Sequence, residues 1–221
     1  MPRLTKEQMK LYLVTDSTGL TDEIFLYKVE AAIKGGVTIL QIREKEKSTR
    51  QYMELAKKVH EITKKYGIPL IVDDRIDVAM AIGAEGVHLG QSDMPVDVAR
   101  KIVGDKMIIG ATTKTVEQAL EAYRNGADYL GVGAIYPTTT KVKTVLTSVD
   151  TLKEICIAVP IPVNAIGGLC CSNLEVLKEA AIAGICVVSA IMKAQDSYLA
   201  AKELLEVYEN LKKRSITRIE N

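Results

Sequence analysis

Eight short runs of consecutive apolar residues punctuate this chain, at 11–15, 38–42, 69–72, 86–89, 107–110, 129–132, 162–166 and 185–188. Apolar side chains follow one another in these runs instead of alternating with polar ones. That is the pattern of strands buried on both faces of a parallel sheet. Longer amphipathic segments lie between them, at 22–34, 49–65, 77–82, 96–102, 116–125, 148–158, 173–180 and 197–213, and these predict helices. Several carry boundary signals: Thr21 or Asp22 before the first and Gly35-Gly36 after it, Ser48 before the second and Gly67 with Pro69 after it, Thr115 and Asn125-Gly126 around the fifth. Eight strand–helix alternations in 221 residues predict an α/β chain folded as a single (β/α)8 TIM barrel, which takes about 200 to 250 residues. A doubly wound open sheet is the alternative. One domain would then use residues 1–221, with an N-terminal extension at 1–10 and a polar C-terminal tail at 214–221.

Composition narrows the function. Lys plus Arg total 29 against 28 for Asp plus Glu, with no Trp and one Phe. Neither a basic face for nucleic acid nor a set of base-stacking aromatics is expected. The polar start MPRLTKEQMK has no apolar signal segment, and no apolar run approaches bilayer-spanning length. A cytoplasmic protein without membrane contact is therefore expected. The four cysteines, Cys156, Cys170, Cys171 and Cys186, form no C-x-x-C pair and read as reduced thiols in or near the core.

In such a barrel the chemistry sits at the carboxyl ends of the strands. The residues following the runs are accordingly informative. Asp74 and Asp93 follow neighbouring strands, and Mg²⁺ commonly takes one or two carboxylates plus waters and substrate phosphates. Arg43, Lys45 and Lys141 share that rim and would complete a cradle for a diphosphate. Taken singly, either Asp is a strand-end cap or a surface ion pair; convergence with the cations favours the metal. Gly167-Gly168 and Val188-Ser189 follow the last two strands, the usual phosphate corner of these barrels. The segment 137–147 has few apolar residues and reads as a lid. His60 falls in a helix pattern and His88 inside the fourth run, so both read as structural. Neither a G-x-S-x-G elbow nor a G-x-G-x-x-G after a strand is present. The partners implied are phosphorylated small molecules.

The order of QIREK at 41–45, DDRIDVA at 73–79, GVHLGQSDMP at 86–95, GADYLGVGAIYPTTTK at 126–141 and IPVNAIGG at 161–168 resembles the thiamine phosphate synthase family over nearly the whole chain. The resemblance implies a transferase joining 4-amino-2-methyl-5-hydroxymethylpyrimidine diphosphate to 4-methyl-5-hydroxyethylthiazole phosphate, giving thiamine phosphate and pyrophosphate. It places the pyrimidine diphosphate on Gln41, Ile42, Arg43, Glu44, Lys45, Asp73, Thr112 and Lys141, with Arg43 and Lys141 as the catalytic cations. It places Mg²⁺ on Asp74 and Asp93, and the thiazole phosphate on Thr138, Thr139, Thr140, Gly168, Val188 and Ser189. The chain departs from the family pattern at Asp73, where Asn is usual, at Thr112, where Ser is common, at Ala134, where Pro is frequent, and in the stretch 169–172. Two rivals are a related thiazole tautomerase, which carries a catalytic His where this chain has Ala134, and a barrel that binds a phosphorylated ligand without turning it over.

Overall fold

The computed structural model describes residues 4–138 and 145–217, with the side chains of 215–217 left out. Eight parallel strands close into a barrel in sequence order: β1 Leu11–Val14, β2 Ile39–Ile42, β3 Leu70–Asp73, β4 Gly86–Leu89, β5 Ile108–Thr113, β6 Tyr129–Val132, β7 Val163–Ile166 and β8 Gly184–Val187. Pairing of Leu11 with Ile185 and of Tyr12 with Ile39 closes the ring. The helices are α1 Asp22–Lys34, α2 Thr49–Tyr66, α3 Ile76–Ile82, α4 Val96–Val103, α5 Val116–Arg124, α6 Val149–Ala158, α7 Ser189–Met192 and α8 Ser197–Thr217. Their starts follow the expected chemistry. Thr21, Ser48 and Thr115 each accept a hydrogen bond from a first-turn backbone N–H, Ser48 within a full capping box. Gly67 ends α2 in the left-handed conformation, φ 68°.

The strands separate two cores. Leu40, Ile42, Val72, Val87 and Leu130 face outward into the layer between sheet and helices. Tyr12, Ile39, Ile71, Ile108, Tyr129 and Cys186 face into the lumen. Successive side chains on a strand take opposite faces, so the unbroken apolar runs of the sequence fill both layers. The N-terminal extension closes the amino end: Leu4 and Met9 are buried in the lumen cluster, and Asn164 Nδ2 donates to Met9 O at 2.8 Å. A Cβ at Gly184 would sit 1.7 Å from that same carbonyl, which explains the glycine.

Three expectations are corrected. The strand expected at 107–110 runs to Thr113, because β-branched Thr112 and Thr113 extend the ladder against Gly131 and Val132; Thr112 thus belongs to the strand. The seventh helix, expected at 173–180, is a 3-10 segment, Cys171–Leu177. There Asn173 accepts from Cys170 N and donates to Gly168 O, both at 2.9 Å, and such side-chain bonds compete with a regular helix. The last helix runs to Thr217, into the expected tail; Lys and Arg are good helix formers and suit a helix C-terminus. The cysteines are free thiols: Cys186 is buried, Cys156 and Cys170 are half-buried and Cys171 is exposed. Among the described residues no helix is long and apolar enough to cross a membrane.

Candidate active site

A cavity of about 260 Å³ opens at the carboxyl ends of the strands. Alternation along β2 and its extension decides which expected residues reach it. Gln41, Arg43 and Lys45 line the cavity. Ile42 and Glu44 do not: Ile42 packs in the outer core, and Glu44 turns away to accept from Ser17 Oγ at 2.8 Å. Burial pushes the Glu44 carboxyl up, against the hydrogen bond from Ser17. Asp73, Asp74, Asp93, Thr112, Thr138, Gly168, Val188 and Ser189 all border the cavity. Thr139, Thr140, Lys141 and most of the expected lid lie outside the described residues.

The carboxylate side of the cavity is crowded. Lys45 Nζ lies 3.2 Å from Asp73 Oδ2 and pairs closely with Asp74, while Arg43 Nε stands 3.6 Å from Asp73. Burial, followed by the neighbouring Asp74, pushes the Asp73 carboxyl up to about 6, against the pull of Lys45 and Arg43. Asp73 is therefore ionised at neutral pH, yet close to taking a proton. Asp74 occupies the left-handed region, φ 59°, which Asp tolerates better than most residues. Burial raises its carboxyl, but Lys45 and a hydrogen bond with Asp93 outweigh burial and hold it below the ordinary value. Asp93 is pushed up by burial and by that same contact with Asp74. Its Oδ2 also accepts from Gly90 N at 2.7 Å.

Asp74 and Asp93 thus act on one another directly, one carboxyl held down and the other pushed up. Among the described residues no group of three or more His, Cys, Asp or Glu could hold a metal ion. Two carboxylates, such as those of Asp74 and Asp93, would leave most ligand positions of a hard cation to water and phosphate.

The opposite wall is built by close backbone packing. Gly167 and Gly168 have φ of 104° and 64°, and a Cβ on Gly168 would meet Pro137 O and Tyr136 Cβ at 2.7 Å. The loop after β6 thus lies directly on the loop after β7, which brings Thr138 beside Gly168. Val188 precedes α7 and Ser189 is its first residue. That short helix was not expected from the sequence.

The cavity floor holds residues that sequence reasoning did not place in the site: Tyr12 and Asn164, with His88, read as structural, and Cys186, read as a core thiol. His60 is structural as expected, with Nε2 3.1 Å from Glu85 Oε1. His88 instead points into the lumen, with Nε2 2.8 Å from Thr112 Oγ1. The signal available was parity: Tyr12, His88 and Tyr129 share the inward face of their strands with Val14, Gly86 and Gly131. Lys114 also borders the cavity and adds a cation to the rim.

Residues 11–191 match the family model described as thiamine monophosphate synthase. The chain is 50% identical over 208 residues to thiamine-phosphate synthase 2 of Streptococcus pneumoniae, covering 94% of this chain and 99% of that protein. It is 50% identical over 194 residues to the thiamine-phosphate synthase of Clostridium tetani, covering 88% and 93%. Among solved structures, thiamine phosphate pyrophosphorylase from Pyrococcus furiosus superposes with a TM-score of 0.86 at 38% identity, covering 94% of this chain and 98% of that one.

Proposed function

The chain belongs to the thiamine monophosphate synthase family, and from that membership we propose how its rim carries out the coupling of the pyrimidine diphosphate to the thiazole phosphate, as a transferase of the alkyl and aryl type. The observation that carries the reading is the convergence of Asp74, Asp93, Lys45 and Arg43 on one wall of a cavity whose other wall is Gly168, Val188 and Ser189. One wall suits a diphosphate and the other a single phosphate. The reaction breaks the bond between the pyrimidine methylene carbon and the diphosphate oxygen, and the electron pair leaves with pyrophosphate. The electron-rich aminopyrimidine supports the carbocation left behind. The thiazole nitrogen then gives its lone pair to that carbon. No proton needs to move, so no general base is required; charge at the leaving group is what must be neutralised.

Arg43 and Lys45 supply that neutralisation, joined by Lys141 from the loop after β6. Gln41, Asp73 and Thr112 hold the pyrimidine, with the backbone of Ile42 and Glu44 framing the same strand end. Thr138, Thr139 and Thr140, with Gly168, Val188 and Ser189, hold the thiazole phosphate so that its nitrogen faces the carbocation. Mg²⁺, held by Asp74 and Asp93, would neutralise charge on the departing pyrophosphate. In that state Lys45, now paired with both Asp73 and Asp74, would be released toward the diphosphate. The setting read for this enzyme is the cytoplasm.

Ala134 favours the synthase over the tautomerase, since it is buried at the cavity edge where that rival needs an imidazole. Calorimetric titration with pyrophosphate tests the assignment of the walls. Binding should tighten at least about tenfold when Mg²⁺ is present, and this gain should vanish in Asp74→Asn. A gain that persists in Asp74→Asn would place the metal elsewhere.

A further inference from the structure

One cation on the rim has no task in the coupling as described. Lys114 follows β5 and lines the cavity together with Arg43 and Lys45. The three differ in what engages them. Arg43 Nε stands 3.6 Å from Asp73, and Lys45 Nζ lies 3.2 Å from Asp73 and pairs closely with Asp74. Among the described residues no carboxylate pairs with Lys114. Its ammonium donates to Val145 O at 3.5 Å, a distance at the outer limit of a hydrogen bond. Val145 is itself 73% exposed, so water can replace the ammonium there at little cost.

The backbone under this side chain is fixed. Lys114 N donates to Gln118 Oε1 at 2.8 Å, and Thr115 Oγ1, the cap of α5, accepts from Gln118 N at 3.3 Å. The ammonium therefore moves on a flexible four-carbon stem from an anchored position at the cavity edge.

Its place around the ring points to one of the two anions. β5 is hydrogen-bonded to β4, and the loop after β4 brings Gly90, Ser92 and Asp93 to the cavity. Gln91 Nε2 donates to Thr112 O at 2.7 Å, which ties that loop to the strand two residues before Lys114. Gly168, Val188 and Ser189 follow β7 and β8, two and three strands further on. Charge argues the same way. Arg43 and Lys45 must leave carboxylates before they can serve a diphosphate, whereas Lys114 gives up one long contact to a neutral carbonyl.

We propose that Lys114 is a further substrate-binding residue, whose ammonium leaves Val145 O and donates to a phosphate oxygen of the pyrimidine diphosphate. The inference rests on the coupling reading above. An ammonium on a phosphate oxygen forms a charge-assisted hydrogen bond, stronger than one to a carbonyl.

Calorimetric titration of the full chain with pyrophosphate in Mg²⁺ tests this. Lys114→Met and Lys114→Gln both remove the charge, and each should weaken pyrophosphate binding about tenfold, the loss expected for one hydrogen bond to a charged group. Lys114→Arg, which keeps the charge, should stay within about threefold of wild type. Binding of thiazole phosphate should change less than about twofold in all three. In turnover, the neutral variants should lose about tenfold in kcat/KM for the pyrimidine diphosphate while the KM for thiazole phosphate holds. Unchanged pyrophosphate affinity in the folded neutral variants would overturn the proposal, and so would a loss confined to thiazole phosphate. A wild type that makes no thiamine phosphate from the two substrates with Mg²⁺ would instead remove the coupling reading, and this inference with it.

Discussion

At the amino end of the barrel, Arg100 and Asp128 form a closed set. The Arg100 guanidinium donates to the carbonyls of Gly104, Met107 and Gly126 and pairs with Asp128 at 2.7 Å, while Asp128 also accepts from Ile109 N at 2.8 Å. Glu85 does similar work nearby, accepting from Leu70 N and meeting His60. At the carboxyl end the same residue types are set against one another: Asp73, Asp74 and Asp93 crowd together around Lys45, with two carboxyls raised and one held down. One rim ties its charges to backbone carbonyls and N–H groups. The other stores unresolved charge that a cation and a diphosphate would resolve. The division matches the general one in these barrels, with stability at the bottom and chemistry at the top.

Substitutions on the two rims should therefore separate activity from stability. The largest effect expected is on activity at the carboxyl rim. Asp93→Ala should lower kcat/KM a hundredfold or more, about 3 kcal/mol of transition-state stabilisation, while denaturant midpoints shift little. Near-wild-type turnover in that variant would end the assignment of Asp93 to the metal.

Next in size is the converse at the amino rim. Asp128→Ala leaves both Arg100 and the Ile109 N–H without their carboxylate and should cost about 2 to 3 kcal/mol of stability by urea unfolding, with kcat unchanged below the transition. A variant as stable as wild type but catalytically impaired would invert the comparison.

Lys141→Ala should follow, lowering kcat by about tenfold to thirtyfold with little change in the KM for thiazole phosphate. Loss of thiazole affinity at unchanged kcat would move Lys141 to the other anion.

The smallest effect on activity belongs to Asp73→Asn, which restores the usual family residue and should stay within about tenfold of wild type, about 1.4 kcal/mol. Its pH signature is more telling. The folded carboxyl is raised from 3.8 to about 6, so the native state binds more protons than the unfolded chain between those values. Metal-free wild type should therefore lose stability as pH rises through that window. Asn does not titrate, so metal-free Asp73→Asn should gain about 1 to 3 kcal/mol on wild type at pH 7 and nothing below pH 4. Equal unfolding curves at both pH values would show that Lys45 and Arg43 fully offset the burial of Asp73.

The barrel was legible because its strands are buried on both faces: runs such as GVHL at 86–89 and YLGV at 129–132 coincide with β4 and β6. The 3-10 segment after β7 was not, because its apolar spacing is helical while Asn173 bonds the backbone locally. The rim was legible where charge follows a strand, as at Arg43, Lys45, Asp74 and Asp93. Within QIREK the sequence did not show which side chains reach the cavity; strand parity sends those of Ile42 and Glu44 outward. The floor was hidden for a different reason. Tyr12, Tyr129 and His88 sit in apolar runs, where a polar tip on a buried ring looks like core until the hydroxyl distances are known.

Coupling at the crowded carboxyl rim should depend on a divalent cation. Purified protein incubated with the pyrimidine diphosphate and the thiazole phosphate should form thiamine phosphate and pyrophosphate in equal amounts with Mg²⁺ present, and almost none after EDTA. Full product formation in EDTA, or none in either condition, would contradict it.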